Sequence, residues 1–357
     1  MTAQENFPGL PPFPDNIPTA PLTRLSLSKL LAHDETETDR LMHACCEIGF
    51  FYLDLQNTES GTTLLSTADK LFQTGTELFK LPLAEKQKYD FSAQNSYHGY
   101  KAQGAMIADK EGNVDRNEFY NVSKDTILNL TPSPFPSPTL LSTPSTHTNL
   151  KTFIETSHSI TILILTLLNK TLGLPPSTLA NLHHLHSTSS DQVRFIKAPP
   201  QPPQDSRTAM GEHTDFGSVT ILFNRLGGLQ VLPAGEDAEW TYVRPLPGHA
   251  IVNLGDALVK FTNGLLRSNI HRVVAPPGEQ MEWTRYSLVY FARPADEVVL
   301  RRLEGSDCIP LPQEDEEEEI SSKEWVLRRA LGRRSGLESV DYEKSAGTEM
   351  LSRRIRV

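Results

Sequence analysis

From Asp191 onward the chain breaks into short, β-rich segments, and no other feature restricts its fold as much. "QVRFIKA", "SVTILFN", "GGLQVLP", "EWTYVRP", "AIVNLGDALVKFT", "HRVVAP" and "RYSLVYFARP" follow one another between residues 192 and 294, with Gly, Pro and Asn between them. Many short strands at strand-and-turn spacing imply an antiparallel sandwich or barrel.

The N-terminal half reads differently. Residues 34–55, "DETETDRLMHACCEIGFFYLDL", start acidic, acquire an apolar face and meet Gly49 before an aromatic run. That order predicts helix, C-terminal glycine, strand. Residues 62–82 set Leu64, Leu65, Ala68, Leu71, Phe72 and Phe79 near one helical face, with a stop at Pro82. "LAEKQKYDF" adds a short helix. Residues 96–122 are aromatic and predict a hairpin turning at Glu111-Gly112-Asn113. The Pro/Ser/Thr-rich stretch 131–149 predicts a loop, residues 150–173 a second long helix ending at Gly173, and "STLANLHHLH" a short one. "SSKEWVLRRALGRR" predicts a closing helix, and residues 335–357 a polar tail. Residues 1–22, rich in proline, are expected to run extended over the surface.

The expected class is mainly β with helices (α+β). An N-terminal helical and hairpin region spans 1–130, a loop with supporting helices 131–190, the β core 191–300, and a closing helix with its tail 301–357. No long flexible linker divides these, so one integrated unit is expected.

A net charge of −10 argues against a nucleic-acid surface, which needs clustered Lys and Arg. The acidic run from Glu314 to Glu319 reads as a solvated loop. Cys45, Cys46 and Cys308 are too few for a disulfide framework, and no Cys-x-x-Cys occurs, so a reducing compartment is expected. The N-terminus lacks a basic-then-apolar signal pattern, and "ITILILTLL" (160–168) is too short to span a bilayer. Together these predict a cytoplasmic protein without a membrane or nucleic-acid partner, monomeric and acting on a small molecule.

"GEHTDFGSVTILF" (211–223) holds the chemistry. His213 and Asp215 stand two apart, and in extended chain such side chains share a side. Glu212 points the other way. His271, in "SNIHRVVAPPGE", is far enough along to sit on a later strand facing the first. Two histidines and a carboxylate on one face of an ion leave positions open and suit non-haem Fe(II) oxygenases. Zinc accepts the same set, so a zinc hydrolase stays open at this point. In "RYSLVYFARP", Arg285 and Ser287 are again two apart. A forked guanidinium beside a hydroxyl holds a carboxylate well, and with an open metal this suggests a bidentate oxo-acid on iron. The histidine-dense "NLHHLH" (181–186) has no local carboxylate and reads as structural. Asn263, Asn269 and Asp256 read as turn or structural residues.

With these motifs on view, the chain resembles the 2-oxoglutarate and Fe(II)-dependent oxygenases of the isopenicillin N synthase-like class. "HTDFGSVTILF", "GGLQVLPAGEDAEWTYVRPLPGHAIVNLGD", "NLGDALVKFTNGLLRSNIHRV" and "RYSLVYF" match its segments in order, and "LFQTGTELFKLPLAEKQKYDF" resembles its helical N-terminal region; the likeness covers roughly residues 15–300. It implies a distorted double-stranded β-helix, a jelly roll, with His213, Asp215 and His271 as iron ligands. It implies Arg285 and Ser287 at the distal carboxylate of 2-oxoglutarate. Fe(II), 2-oxoglutarate as cosubstrate, O2 and ascorbate as reductant are the implied cofactors. The implied reaction is hydroxylation, desaturation or ring formation on a small, natural-product-like molecule of secondary metabolism, coupled to decarboxylation of 2-oxoglutarate to succinate.

One segment departs from the family. "VRFIKAPPQP" has Ala198 where many members carry a tyrosine that contacts the cosubstrate, which makes Lys197 and Arg194 candidates for that role. An iron oxidase that needs no oxo-acid stays open, as does a non-catalytic jelly-roll binding protein. Retention of Asp215 argues against a halogenase. In the family the N-terminal region covers the barrel mouth, so Tyr97, Tyr100, Lys101, Arg116 and Phe119 are candidate substrate contacts, the alternative being that they fill the hairpin core. Lys101 and Arg116 would favour an acidic substrate if they face the pocket.

Overall fold

The computed structural model describes residues 6–109, 112–133, 135–202, 205, 208–233, 235, 238–311 and 319–332. The expected tail, most of the acidic run and Glu111 of the expected hairpin turn lie outside these residues.

Twelve strands occur among the described residues. The N-terminal half provides β1 (Thr23–Ser26), β2 (Phe50–Asp54), β3 (Gly99–Lys101) and β4 (Glu118–Ser123). The rest follow from residue 192: β5 (Gln192–Ala198), β6 (Met210–His213), β7 (Val219–Asn224), β8 (Leu229–Val231), β9 (Thr241–Tyr242), β10 (His249–Leu254), β11 (His271–Val273) and β12 (Arg285–Ala292). They form an eight-stranded sheet, β1-β2-β10-β7-β12-β5-β4-β3, and a four-stranded sheet, β6-β11-β8-β9. All pairings are antiparallel except β1 with β2. This is the jelly-roll arrangement, in which two facing sheets leave a cleft between them. The larger sheet takes strands from both halves of the chain, so the N-terminal region is part of the wall rather than an appendage.

Two long helices back that sheet. Glu59–Lys80 and Pro144–Thr171 pack on one another and against β12. Pro144–Thr171 buries Leu150, Phe153, Ile154, Ile160, Ile164, Leu165, Leu167 and Leu168, each side chain worth about 1.5–3 kcal/mol when fully removed from water. Gly75 in the first helix lets it approach closely, since a Cβ there would lie 2.9 Å from the Phe195 ring on β5.

Glu35–Glu47, Gly49 at φ +72° and β2 follow each other as the sequence predicts. β3 and β4 pair as the predicted hairpin. Two local expectations fail. The second long helix begins at Pro144, not 150, because Thr143 accepts the Thr146 N–H and proline occupies the first helical position. "DALVKF", directly after β10, is a helix, Asp256–Phe261, not strand. Its first N–H groups donate to the Asp215 and Gly217 carbonyls.

Candidate active site

His213 ends β6 and His271 begins β11, and their Cα atoms are paired across the small sheet. Asp215 does not share the strand with His213, as the two-residue spacing suggested; it lies just past the strand's end, in the turn to β7. The three still converge. Their ligand atoms fall within 4.8 Å of one another, the imidazole centroids are 4.2 Å apart, and His271 Nε2 is 3.8 Å from Asp215 Oδ1.

Each side chain is oriented by a neighbour. His213 Nδ1 bonds to the Gly211 carbonyl at 2.8 Å, and His271 Nδ1 to the Asn269 carbonyl at 3.1 Å. With Nδ1 donating to a carbonyl, Nε2 is the nitrogen suited to an ion. Asp215 Oδ2 accepts from Thr220 Oγ1 and from Asn253 Nδ2, both at 2.6 Å, which turns Oδ1 toward the imidazoles. Burial alone would raise the Asp215 pKa, but the two imidazoles and these two hydrogen bonds hold it below the usual value. The His213 strand is tightly backed: a Cβ on Gly211 would fall 1.6 Å from the Ala108 carbonyl oxygen.

A cleft runs from this cluster to β12. Ile196, Leu222, Leu229, Val273 and Val289 give it apolar walls, and Arg285 and Ser287 lie at its end. Arg285 is 3% exposed and donates from Nε to the Gly227 carbonyl and from Nη1 to Ser287 Oγ, both at 2.7 Å. Burial lowers its pKa to about 10, so it stays charged at neutral pH, with no carboxylate partner among the described residues. Two imidazoles and one carboxylate suit Fe(II), and a fixed guanidinium beside a hydroxyl suits the far carboxylate of an oxo-acid. The residues present therefore fit both groups.

On the other side of the cluster a second cavity opens, lined by Tyr97, Tyr100, Lys101, Asn121, Arg194, Phe291 and others, and sharing Arg194, Met210, His213, Asp215 and Phe291 with the cleft.

A family model described as the 2OG-Fe(II) oxygenase superfamily matches residues 189–294, and one described as the N-terminal region of the non-haem dioxygenase in morphine synthesis matches 17–137. The chain is 34% identical over 340 residues to a 2-oxoglutarate-dependent dioxygenase of Aspergillus fumigatus, covering 88% of this chain and 86% of that relative. This chain belongs to the 2-oxoglutarate–Fe(II) oxygenase superfamily. Another relative, the 2-oxoglutarate-dependent dioxygenase gloE of Glarea lozoyensis, is 32% identical over 294 residues, covering 80% of this chain and 83% of its own. In fold the chain is similar to a full-length Neurospora crassa protein solved in complex with alpha-KG, at a TM-score of 0.71 and 23% identity over 87% of this chain and 95% of that one. The protein is thus a dioxygenase, an oxidoreductase that uses Fe(II), 2-oxoglutarate and O2. Nothing in these matches favours an oxidase that dispenses with the oxo-acid.

In this oxygenase the remaining candidates separate. Ala198 lies directly across from Arg285 in the β5–β12 register, on the cleft side. Lys197 faces away and pairs with Glu118 at 3.0 Å, so it does not replace the family's tyrosine. Arg194 is on the cleft side. Tyr97, Tyr100, Lys101 and Phe119 line the second cavity. The Lys101 ammonium, however, pairs with Asp115 and donates to the Asn117 carbonyl at 2.7 Å. Tyr100 gives its hydroxyl to Glu118 at 2.7 Å. Arg116 is not in the cavity wall; it pairs with Asp205 at 3.2 Å. Glu212 is half exposed and 3.7 Å from Arg272, away from the cluster. His183 of "NLHHLH" bonds to the Leu179 carbonyl and Ser218, a structural role, and Asp256 is fully buried against Arg329.

Sequence reasoning missed Thr220 and Asn253, which orient Asp215. Asn253 had a signal, as the one polar side chain in the apolar run "AIVNL". It also missed Asn121, Arg293 and Arg329 in the cavity wall, and for these no local pattern pointed the way.

Proposed function

We propose that His213, Asp215 and His271 hold the iron, that Arg285 with Ser287 holds the distal carboxylate of 2-oxoglutarate, and that a small organic substrate lies against Tyr97 and Phe119, the Tyr100 side chain being turned to Glu118 on the far face of the sheet. The observation that carries this is the convergence of the three ligand atoms within 4.8 Å, beside a cleft that ends on a buried, carboxylate-free arginine. Bound there, iron would supply oxidation of the substrate coupled to decarboxylation of 2-oxoglutarate to succinate. The chain's own residues do the positioning. Thr220 and Asn253 keep one Asp215 oxygen toward the metal, the Gly211 and Asn269 carbonyls fix both imidazoles, and the apolar walls keep water from the cosubstrate.

Placement in the isopenicillin N synthase-like class is supported by the N-terminal match over residues 17–137. A role in secondary metabolism is supported by the fungal relatives. A cytoplasmic site is supported by three free cysteines. Among the described residues no helix is long and apolar enough to cross a membrane, and the net charge of −10 does not favour nucleic acid.

The test is an anaerobic titration of metal-free protein with Fe(II) and then 2-oxoglutarate, followed by the weak visible charge-transfer band of the chelated oxo-acid. The band should form in the wild type. In Arg285→Ala the 2-oxoglutarate Kd should rise about 100-fold, the loss of charged hydrogen bonds worth about 3 kcal/mol. Iron binding without a band would sink the cosubstrate assignment.

A further inference from the structure

Four cationic side chains line the substrate-side cavity among the described residues: Lys101, Arg194, Arg293 and Arg329. Two have a carboxylate of their own. Lys101 pairs with Asp115 and Arg329 with Asp256. The Arg293 guanidinium forms no ion pair among the described residues; its Nη1 donates to the Ser190 carbonyl, and Asp191 Oδ1 accepts the Arg293 backbone N–H at 2.7 Å, which ties that arginine to the β12 end of the wall.

Arg194 is different. Its Nε donates to Asn121 Oδ1 at 2.7 Å, and its guanidinium carbon lies 4.2 Å from the Phe119 ring centre and 4.9 Å from that of Phe291. Those rings come from β4 and β12, the strands on either side of β5, so the guanidinium is flanked and its direction set. The carboxylate that acts on it is Asp215, which the iron would claim.

Charge then decides what the cavity wants. Once loaded, the two positive charges of Fe(II) and that of Arg285 balance the Asp215 carboxylate and the two carboxylates of 2-oxoglutarate. The metal side is neutral without Arg194. Burial, and then Arg293, lower the Arg194 pKa to about 9, so the group, which is partly buried in the cavity wall, is still charged at neutral pH. A buried charge without a counterion is costly, and a ligand that supplies one gains what the apo cavity lacks.

We infer that the substrate carries a carboxylate, and that Arg194, oriented by Asn121, Phe119 and Phe291, receives it through Nη1 and Nη2. This rests on the function proposed above, with iron and 2-oxoglutarate on the opposite side of Arg194. It also moves the preference for an acid from Lys101 and Arg116, which are already paired, to a residue on the central strand β5.

The experiment uses enzyme saturated with Fe(II) and 2-oxoglutarate under anaerobic conditions. Matched acid and amide pairs (benzoate with benzamide, phenylacetate with phenylacetamide, cyclohexanecarboxylate with its amide) are added up to about 10 mM, the range of weak fragment affinities. Thermal midpoint and ligand-observed NMR report binding. The acids should stabilise the wild type and the amides should not. Arg194→Gln should weaken the acids at least tenfold while its 2-oxoglutarate affinity, measured in the same samples, stays within twofold of wild type. Arg194→Lys, which keeps the charge, should recover part of the acid binding. Amides binding as well as acids, acids binding equally to Arg194→Gln, or no acid binding to the wild type would each overturn the inference. Loss of 2-oxoglutarate affinity in Arg194→Gln would assign Arg194 to the cosubstrate and overturn it too. If the wild type takes up neither iron nor 2-oxoglutarate, the proposed function itself falls, an outcome visible before any acid is added.

Discussion

The two ends of the cavity are built on opposite plans. At the metal end the ligands are braced from close by: both histidines bond through Nδ1 to the carbonyl two residues earlier, and Asp215 is held by Thr220 five residues on and by Asn253 on the neighbouring β10. At the substrate end the wall is gathered from β3, β4, β5, β12 and the C-terminal helix Ser322–Leu331, and two of its cations, Arg194 and Arg329, are held by Asn121 and Asp256, each 73 residues away. Most of the bracing of the ligands is local in sequence, whereas the recognition surface is assembled from many separate elements.

The contrast can be broken most severely at the metal end. Asp215→Ala should abolish measurable Fe(II) binding, a loss beyond the roughly 10–100-fold typical of groups that merely support a ligand, and unchanged affinity in an anaerobic titration would remove Asp215 from the ligand set. At the substrate end the largest effect should be on folding. Arg329→Met leaves Asp256 buried without its partner, at a cost of about 3–5 kcal/mol. Urea denaturation checks this, and a cost under about 1 kcal/mol would mean that the wall does not depend on its distant ion pairs. Asn253→Ala sharpens the metal end: iron affinity should fall about 10–100-fold with the fold retained, because Asp215 keeps its charge but loses a brace. The smallest effect belongs to Arg116→Ala. Since Arg116 lies outside the cavity wall, the affinities for iron, 2-oxoglutarate and any acid should each move by less than about twofold.

The same contrast explains what could be read from the chain before its structure. β5, β7 and β12 were legible because their β-branched and aromatic runs are continuous, and the segment read as "QVRFIKA" coincides with Gln192–Ala198. His213 with Asp215, and Arg285 with Ser287, come in pairs two apart, so pattern was enough to bring them into view. Asp215 shows the limit of that logic. The spacing suggested a shared strand face, yet the residue sits in a turn and reaches the histidines through its hydrogen bonds rather than through strand alternation. "DALVKF" was misread because an apolar run after a strand looks like more strand, whereas the Asp215 and Gly217 carbonyls capture its N–H groups and start a helix. Lys101 was legible as a cation near the mouth, but its partner Asp115 was not, and that partner removes its charge from play. Arg194 stood in plain sight on β5. Its importance depends on Phe119, Asn121 and Phe291 from neighbouring strands, which no single stretch of sequence places beside it.

The Ala108 carbonyl occupies the space that any side chain at Gly211 would need. Position 211 is therefore closed to change for as long as residue 108 stays where it is. A lineage descended from this chain can remodel the segment around Ala108, which lines the substrate-side cavity, freely only in directions that leave that carbonyl in place, and can vary residue 211 only after that segment has moved. Diversification of this stretch of cavity wall and preservation of the strand that carries His213 are thereby coupled at one backbone contact, and homologues with a non-glycine residue at this position should route the segment around residue 108 differently.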